Sequence, residues 1–406
     1  MGDGSVKFVE QNLLNTDLTL NLSQNIPWTG GSLFLETSAQ RMDLFSEHKY
    51  SWQTSPIMIG YRQSLFGYNS LKWDKRIEPV RYQEAKKSYV ETLELVSANA
   101  INKFFALATA QSNYDIASFN YANADTLYRY AQGRYNIGTI TENEMLQLEL
   151  NRLTEETNRM NARIEMDNCM QELRSYLGIQ EEREIRVRVS SRIPDFSINL
   201  NEALALAYEN SPDIQTMKRR KLESESAVAR ARANAGLKAD IYLRFGLTQT
   251  ADKLPEAYRN LLDQQYVSLS ISLPILDWGR GKGQVRVARS NRDLVYTQVE
   301  QSRTDFELNV RKLVKQFNLQ TQRVRIAART DETAQRRNEV ARKLYILGKS
   351  TILDLNASIS EKDSARRNYV SALYNYWSLY YTLRSMTLYD FESNKLLTED
   401  YNLLIE

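Results

Sequence analysis

The residues able to carry chemistry are few. The 406-residue chain has one cysteine, Cys169, and one histidine, His48. One cysteine cannot form an internal disulfide, and one histidine cannot anchor a usual zinc site. Cys169 lies in a helix-forming stretch, residues 164–177, and reads as a half-buried packing residue. His48 sits in the polar loop sequence Ser46-Glu47-His48-Lys49 and reads as exposed. The acid pairs Glu155-Glu156 and Glu181-Glu182 stand in polar helical or linker context, where nothing tunes a carboxyl for general acid–base work. The run Trp278-Gly279-Arg280-Gly281-Lys282-Gly283 invites a phosphate-loop reading. Glycine rather than Ser or Thr follows Lys282, so the pattern is absent, and a strand-to-helix turn is expected there. No catalytic, cofactor-binding or metal-binding constellation emerges, and the chain is not expected to be an enzyme.

Charge narrows the remaining classes. Lys and Arg number 53 against 50 Asp and Glu, a formal charge of +3, which argues against a polyanion such as nucleic acid as the main partner. The basic stretch 323–343 is interrupted by Asp331, Glu332 and Glu339 and reads as a solvated helix face. The chain is 42% hydrophobic with a mean hydropathy of −0.53. No apolar run reaches the roughly 18 residues of a spanning helix. A barrel strand needs only about 10 residues of alternation, so a membrane remains open. Met1-Gly2-Asp3-Gly4-Ser5-Val6 is neither a signal peptide nor a myristoylation site.

The elements that would hold any site are long. Proline occurs only at 27, 56, 79, 194, 212, 255 and 274, and after Gly283 the only glycine is Gly348. Breaker-free stretches rich in Ala, Leu, Glu, Gln, Arg and Lys predict helices over residues 70–134 and 142–177, then 284–345 and 351–385, with another over 199–235. Val299, Phe306, Val310, Leu313, Phe317, Val324 and Ala328 form one apolar stripe at helical spacing, the pattern of coiled-coil or bundle packing. Sliding the sequence by 210 positions lays Lys72 on Lys282 and Arg76 on Arg286. It also lays Tyr135-Asn136-Ile137-Gly138 on Tyr345-Ile346-Leu347-Gly348, Glu144 on Asp354, and Arg174 on Arg384. One constant offset through strand, long helix, tight turn and returning helix is a tandem duplication.

Four strands are expected from clean alternation: Leu18, Leu20 and Leu22; Ile57, Ile59 and Tyr61; Ile241 to Leu247; and Val267 to Leu273. Thr19, Asn21, Ser268 and Ser270 fall on the polar side. Alternation alone fits equally a lipid-facing wall and a sheet with one face on a soluble core. In lipid, four strands cannot close a barrel and open edges are not tolerated, so copies of the chain would share one. The organisation read from these features is a first repeat over 1–178, with strands about 17–66 and a helical hairpin about 70–178. A linker over 179–198 follows. The second repeat spans 199–388, with a helix 199–235, strands 238–273 and a hairpin 283–386, and a tail covers 389–406.

These residues resemble the TolC-type outer-membrane efflux proteins. The likeness rests on the duplicated order, on Ser270-Ile271-Ser272-Leu273-Pro274-Ile275-Leu276-Asp277-Trp278-Gly279 entering the long helix, and on the two tip sequences with Glu144 and Asp354. Asn25 to Gly31 also resembles the family's first strand end, where an extracellular loop begins. The resemblance implies a mainly α protein with membrane β: four strands per chain in a shared trimeric barrel, continued by a helical tunnel into the periplasm of a bacterium. It implies a passive exit duct of an efflux or type I secretion system, working with a periplasmic adaptor and an energised inner-membrane transporter. Tyr135, Asn136, Ile137, Gly138 and Thr139, with Tyr345, Leu347, Gly348, Lys349 and Ser350, become the adaptor-facing tips. Glu144, Asp354 and Tyr345 become the gate. Three departures stand out: no helix precedes the first strand, so the N-terminal helix is expected to be missing by truncation; Ala357 replaces a second gate acid; and Ser350 replaces a basic residue. The other reading is a soluble coiled-coil scaffold, which explains the helices and the repeat but not amphipathic strands beside each helix start.

Overall fold

The computed structural model describes residues 12–181, 183–190, 193–347 and 349–397. They form two compact units: the chain up to Gln83 with Gln215–Ser302, and Glu84–Ile214 with the chain from Arg303 onward.

The first unit carries a five-stranded antiparallel sheet in chain order: β1 (Leu13–Ile26), β2 (Gly31–Leu44), β3 (Lys49–Ser64), β4 (Lys238–Ala251) and β5 (Leu262–Ser272). Each of the four expected strands falls on one of these, with Leu273 one residue past the end of β5, and β2 is additional. Its alternation is blurred in its own sequence, where Leu33-Phe34-Leu35 is apolar on both faces and Arg41 falls on the side of the leucines; the bulge between the two strands lies on β3, where three residue steps, Met58 to Ser55, pass two of β2. The turn joining β1 to β2 lies at the helix end of the sheet. Asn69, just before the first long helix, donates to the Pro27 carbonyl at 2.9 Å, and Gln63 donates to the Thr29 carbonyl at 2.8 Å. The expectation of an extracellular loop at Asn25 to Gly31 is therefore corrected: those residues make a tight turn at the end from which β3 leaves for the helices. Gly30 supplies the turn's positive φ of 74°.

Two long helices of 67 residues, α1 (Ser70–Asn136) and α5 (Arg280–Ile346), start in this unit and continue into the second. Their returning partners are α2 (Glu142–Leu177) and α6 (Ile352–Thr387), of 36 residues each. Both pairs are offset by 210 residues from end to end. Where one helix over 199–235 was expected, two stand: α3 (Leu200–Asn210) and α4 (Pro212–Ala235). Pro212 has no N–H to continue the ladder and excludes the helical region for the residue before it, and Ser211 is extended at ψ 136°. Asn199 caps α3, accepting from the Asn201 N–H.

The second unit holds most of the helical core. Of the α5 stripe, Val299 in the first unit and Phe306, Val310, Phe317 and Val324 in the second are buried; Leu313 and Ala328 are half-buried. Phe317 is fully enclosed by Phe196, Tyr376 and Tyr380, with ring centroids 5.1 to 5.9 Å away. A second cluster joins Leu107, Ala110, Met166 and Leu173, against which Cys169 packs. Burial and the neighbouring Glu165 push the Cys169 thiol up, so it stays protonated and inert. A short antiparallel pair, β6 (Tyr389–Asp390) and β7 (Lys395–Leu396), follows α6. Glu94, on α1, and Asp390 flank Arg384 at 2.9 and 3.5 Å, tying that pair to the helices.

Candidate functional site

No group of three or more potential metal ligands occurs among the described residues, and no described helix is long and apolar enough to cross a membrane. The features that could do something are the sheet's two faces and the two helix tips.

The strand registers sort side chains without ambiguity. Leu18 and Leu20 on β1, Leu33 and Leu35 on β2, Ile57, Ile59 and Tyr61 on β3, Leu243 and Phe245 on β4, and Val267 and Leu269 on β5 share one face. Across the sheet, Leu35 sits opposite Ile59, which sits opposite Phe245. This face is open: Leu18 is 78% exposed, Ile59 49% and Leu269 60%. The opposite face carries Thr19, Asn21, Arg62, Tyr242, Arg244, Ser268 and Ser270. There Asn21 donates to Glu36 at 3.2 Å and Arg244 to Gln264 at 3.2 Å. Phe34 is folded down over Gly60, where any Cβ would lie 2.1 Å from the ring, and stacks on Tyr242. A sheet with its apolar face unpartnered and its polar face internally bonded is the reverse of a soluble sandwich.

The strand-to-helix turn at Asp277 is not a phosphate cradle. Its carboxylate accepts from the Gly279 and Gly281 N–H groups at 2.9 and 2.8 Å, filling the anion position at the α5 N-terminus itself. Those bonds hold the Asp277 carboxyl below the usual range.

At the first tip, the Gly138 N–H bonds the Tyr135 carbonyl at 2.9 Å with φ at 73°, and the Thr139 N–H returns to the Arg134 carbonyl at 2.9 Å. The second tip repeats the latter bond at the same offset, from the Lys349 N–H to the Leu344 carbonyl at 2.9 Å. Gly348, expected to turn that tip, lies outside the described residues. Asn136 and Gly138 are exposed, and the apolar residues at the tips are bare: Ile137 is 74% exposed, Leu347 67% and Leu353 76%.

Both acids expected at a gate cap their own helices. Thr141 and Thr351 each accept from the N–H three residues on, and Glu144 and Asp354 each reach back to the threonine N–H, at 2.9 and 3.3 Å. Asp354 also accepts from the Thr351 hydroxyl at 2.7 Å and the Ser350 hydroxyl at 3.3 Å. Within the chain these bonds hold the Asp354 carboxyl below its ordinary value. Tyr345 brings the two tips together. It borders a cleft of about 710 Å³ with Tyr130, Arg134, Arg342, Leu347 and Ser350, and a smaller one with Thr139 and Glu144. Asp354 is in neither lining.

One polar cluster escaped sequence reasoning. Asp331, read as part of a solvated face, is buried, with Arg366 of α6 at 3.2 Å and Gln335 donating at 3.0 Å. Nearby, buried Asn338 donates to Ser358 at 3.0 Å, and Asn120 to buried Asp363 at 2.7 Å. Asp331 and Asn338 are seven residues apart on the seam, a spacing that could have flagged them as inward-facing.

The profile of the family described as outer membrane efflux protein matches residues 203–387. Outer membrane protein TolC of Escherichia coli (strain K12) is 21% identical over 311 residues, 74% of this chain; the match spans 61% of that relative's length. Among solved structures, the CmeC outer membrane channel of Campylobacter jejuni superposes with a TM-score of 0.68 at 15% identity, covering 98% of this chain and 80% of that one. The outer membrane protein VceC of Vibrio cholerae gives 0.64 at 14% identity, covering 93% and 87%. The fold is thus shared over nearly the whole chain where little sequence is. With the repeated hairpins, paired capping boxes and amphipathic sheet, residues 203–387 match the outer membrane efflux protein family and the chain carries the fold of the solved outer membrane channels.

Proposed function

We propose that the protein is a passive exit duct in the bacterial outer membrane, assembled as a homotrimer with the apolar sheet face in outer-membrane lipid and the polar face toward water. The observation that carries this reading is the continuous apolar face, in register across all five strands and open to its surroundings. Lipid is the solvent such a face fits. Transport through it is driven elsewhere, by an inner-membrane transporter coupled through a periplasmic adaptor, in an efflux or type I secretion system; the chain needs no cofactor. The tips, Tyr135 to Thr139 and Tyr345 to Ser350, are the adaptor-facing sets. The bare Ile137 and Leu347 give a helical hairpin partner something apolar to cover. Glu144, Asp354 and Tyr345 form the gate: copies around an axis bring several acids together, which favours cations and resists closure.

The test is reconstitution. The purified protein should require detergent, run as a trimer, and give discrete conductance steps in planar bilayers, with cation preference reduced by Asp354→Ala. A chain that stays soluble without detergent and inserts in no bilayer refutes the duct and leaves the coiled-coil scaffold standing.

A further inference from the structure

The larger of the two tip clefts, of about 710 Å³, lies wholly in the second unit and is walled by a single chain. Its volume suits a small organic molecule. Leu127, Leu347, Leu355 and Ile359 give it apolar walls, and Tyr130 and Tyr345 add two aromatic rings. Among the described residues its only charged lining is cationic: Arg134 from α1 and Arg342 from α5.

Neither guanidinium has an ion-pair partner among the described residues. Other arginines of α5 do: Arg329 and Arg336 share Glu332, and Arg337 pairs with Glu361 of α6. The acids at the tips are already engaged. Glu144, which shares the smaller cleft with Arg134, accepts from the Thr141 N–H and hydroxyl at 2.9 and 3.2 Å. Asp354 accepts from the Thr351 and Ser350 hydroxyls. Two cations beside one apolar cleft, with no acid in its lining, give it a positive potential that a mobile anion would relieve.

The duplication did not produce this pair. At the 210-residue offset Arg134 falls on Leu344, and Arg342 falls on Gln132. Each hairpin carries its arginine at a different place in the repeat, and the packing of the two tips sets both beside the same cleft.

We infer that this cleft is a binding site for an amphipathic organic anion. A flat apolar body lies against Tyr130, Tyr345 and the aliphatic walls, and a sulfonate, carboxylate or phosphate group sits at Arg134 and Arg342. Guanidinium offers planar, paired donors that match such oxyanions, and its weak hydration lowers the cost of binding one beside an apolar wall. A neutral molecule of the same shape leaves both cations unmatched, and an organic cation is repelled. Because one chain supplies every wall, the inference stands whether or not copies assemble into a duct.

The test is calorimetric titration of the purified full chain in an uncharged detergent, with detergent blanks subtracted. Three probes share one ring system: naphthalene sulfonate, naphthol and naphthyl trimethylammonium. The sulfonate should bind saturably, one per chain, and about tenfold tighter than naphthol; tenfold corresponds to about 1.4 kcal/mol. The advantage is set no higher because both guanidiniums are exposed and therefore screened. Arg134→Gln with Arg342→Gln should remove that advantage and leave naphthol binding as it was. The tip bond at residue 134 uses the backbone carbonyl, so the variant keeps the turn. Arg342→Glu should turn the preference toward the ammonium probe. Arg336→Gln, on the same helix but outside the lining, should change nothing. The inference is overturned if the sulfonate binds no tighter than naphthol, a result that would leave the two arginines to an acidic segment of a protein partner. It is equally overturned if the double glutamine variant binds the sulfonate as the unaltered chain does, or if Arg336→Gln loses as much as the double variant, which would reduce the effect to diffuse surface charge.

Discussion

An arginine placed on each face of the sheet separates lipid from water directly. Ile59 lies well inside the 16-residue β3, between Leu35 and Phe245 on the apolar face, and is 49% exposed. If the duct reading holds, its exposed surface meets hydrocarbon near mid-depth. There Ile59→Arg costs roughly 2–4 kcal/mol per chain, or about 30- to 800-fold in the folding equilibrium at about 1.4 kcal/mol per decade. In water the same half-exposed site would tolerate arginine within about 0.5 kcal/mol. Asn21→Arg is the control: it is exposed on the polar face, where Glu36 at 3.2 Å can accept from the new guanidinium, and its expected cost is near zero. Both variants would be folded into vesicles and unfolded in urea, following the heat-modifiable gel shift of the barrel and the denaturation midpoint. A large loss for Ile59→Arg with an unchanged Asn21→Arg supports lipid on the apolar face. Equal behaviour of the two would refute the assignment of faces, whatever the oligomeric state.

Four further outcomes follow from the helical unit. Thr351→Ala should loosen the first turn of α6 by about 1 kcal/mol, through loss of its N-cap bond, read as faster amide exchange at residues 353–355 with the sheet unaffected. Because the folded Asp354 carboxyl is held low, its contribution to that turn is present above the unfolded carboxyl pKa of about 3.9 and is lost as pH falls through the lower folded value; exchange in the turn should accelerate only in strongly acidic buffer, and acceleration already at neutral pH would contradict the capping geometry. Ile137→Arg with Leu347→Arg should abolish adaptor capture and efflux while leaving bilayer conductance intact; retained capture would take docking away from the tips. Phe317→Ala should destabilise the helical unit by about 3–5 kcal/mol, since the ring is fully buried among Phe196, Tyr376 and Tyr380, with calorimetry as the measurement.

What the sequence by itself determined is what local physics determines. Helix starts at Thr141 and Thr351 follow from side chains bonding backbone within a few residues, and the stop at Gly178 from a backbone free to take positive φ, so they were legible without a fold. The 210-residue duplication was legible because the same short-range signals recur, and α1 matches α5, and α2 matches α6, residue for residue in length. The apolar and polar sides of β1, β3, β4 and β5 were legible as a period of two, but not which solvent each side met. The tertiary structure decided the rest, through long-range contacts. β2 was hidden because Leu33-Phe34-Leu35 is apolar on both sides, and only the pairing with β1 and β3 sorts Leu33 and Leu35 from Phe34. Asp331 looked like one charge in a solvated run until α6 was packed over it, bringing Arg366 to 3.2 Å. Glu144 and Asp354 drew attention as repeated acids, and each also stands three residues after its threonine, the short-range spacing by which it bonds back to that cap. The relative direction of the described strands depends on all four pairings at once. No stretch of sequence read alone contains it, because strand direction is relative and is settled only when every neighbour is in place.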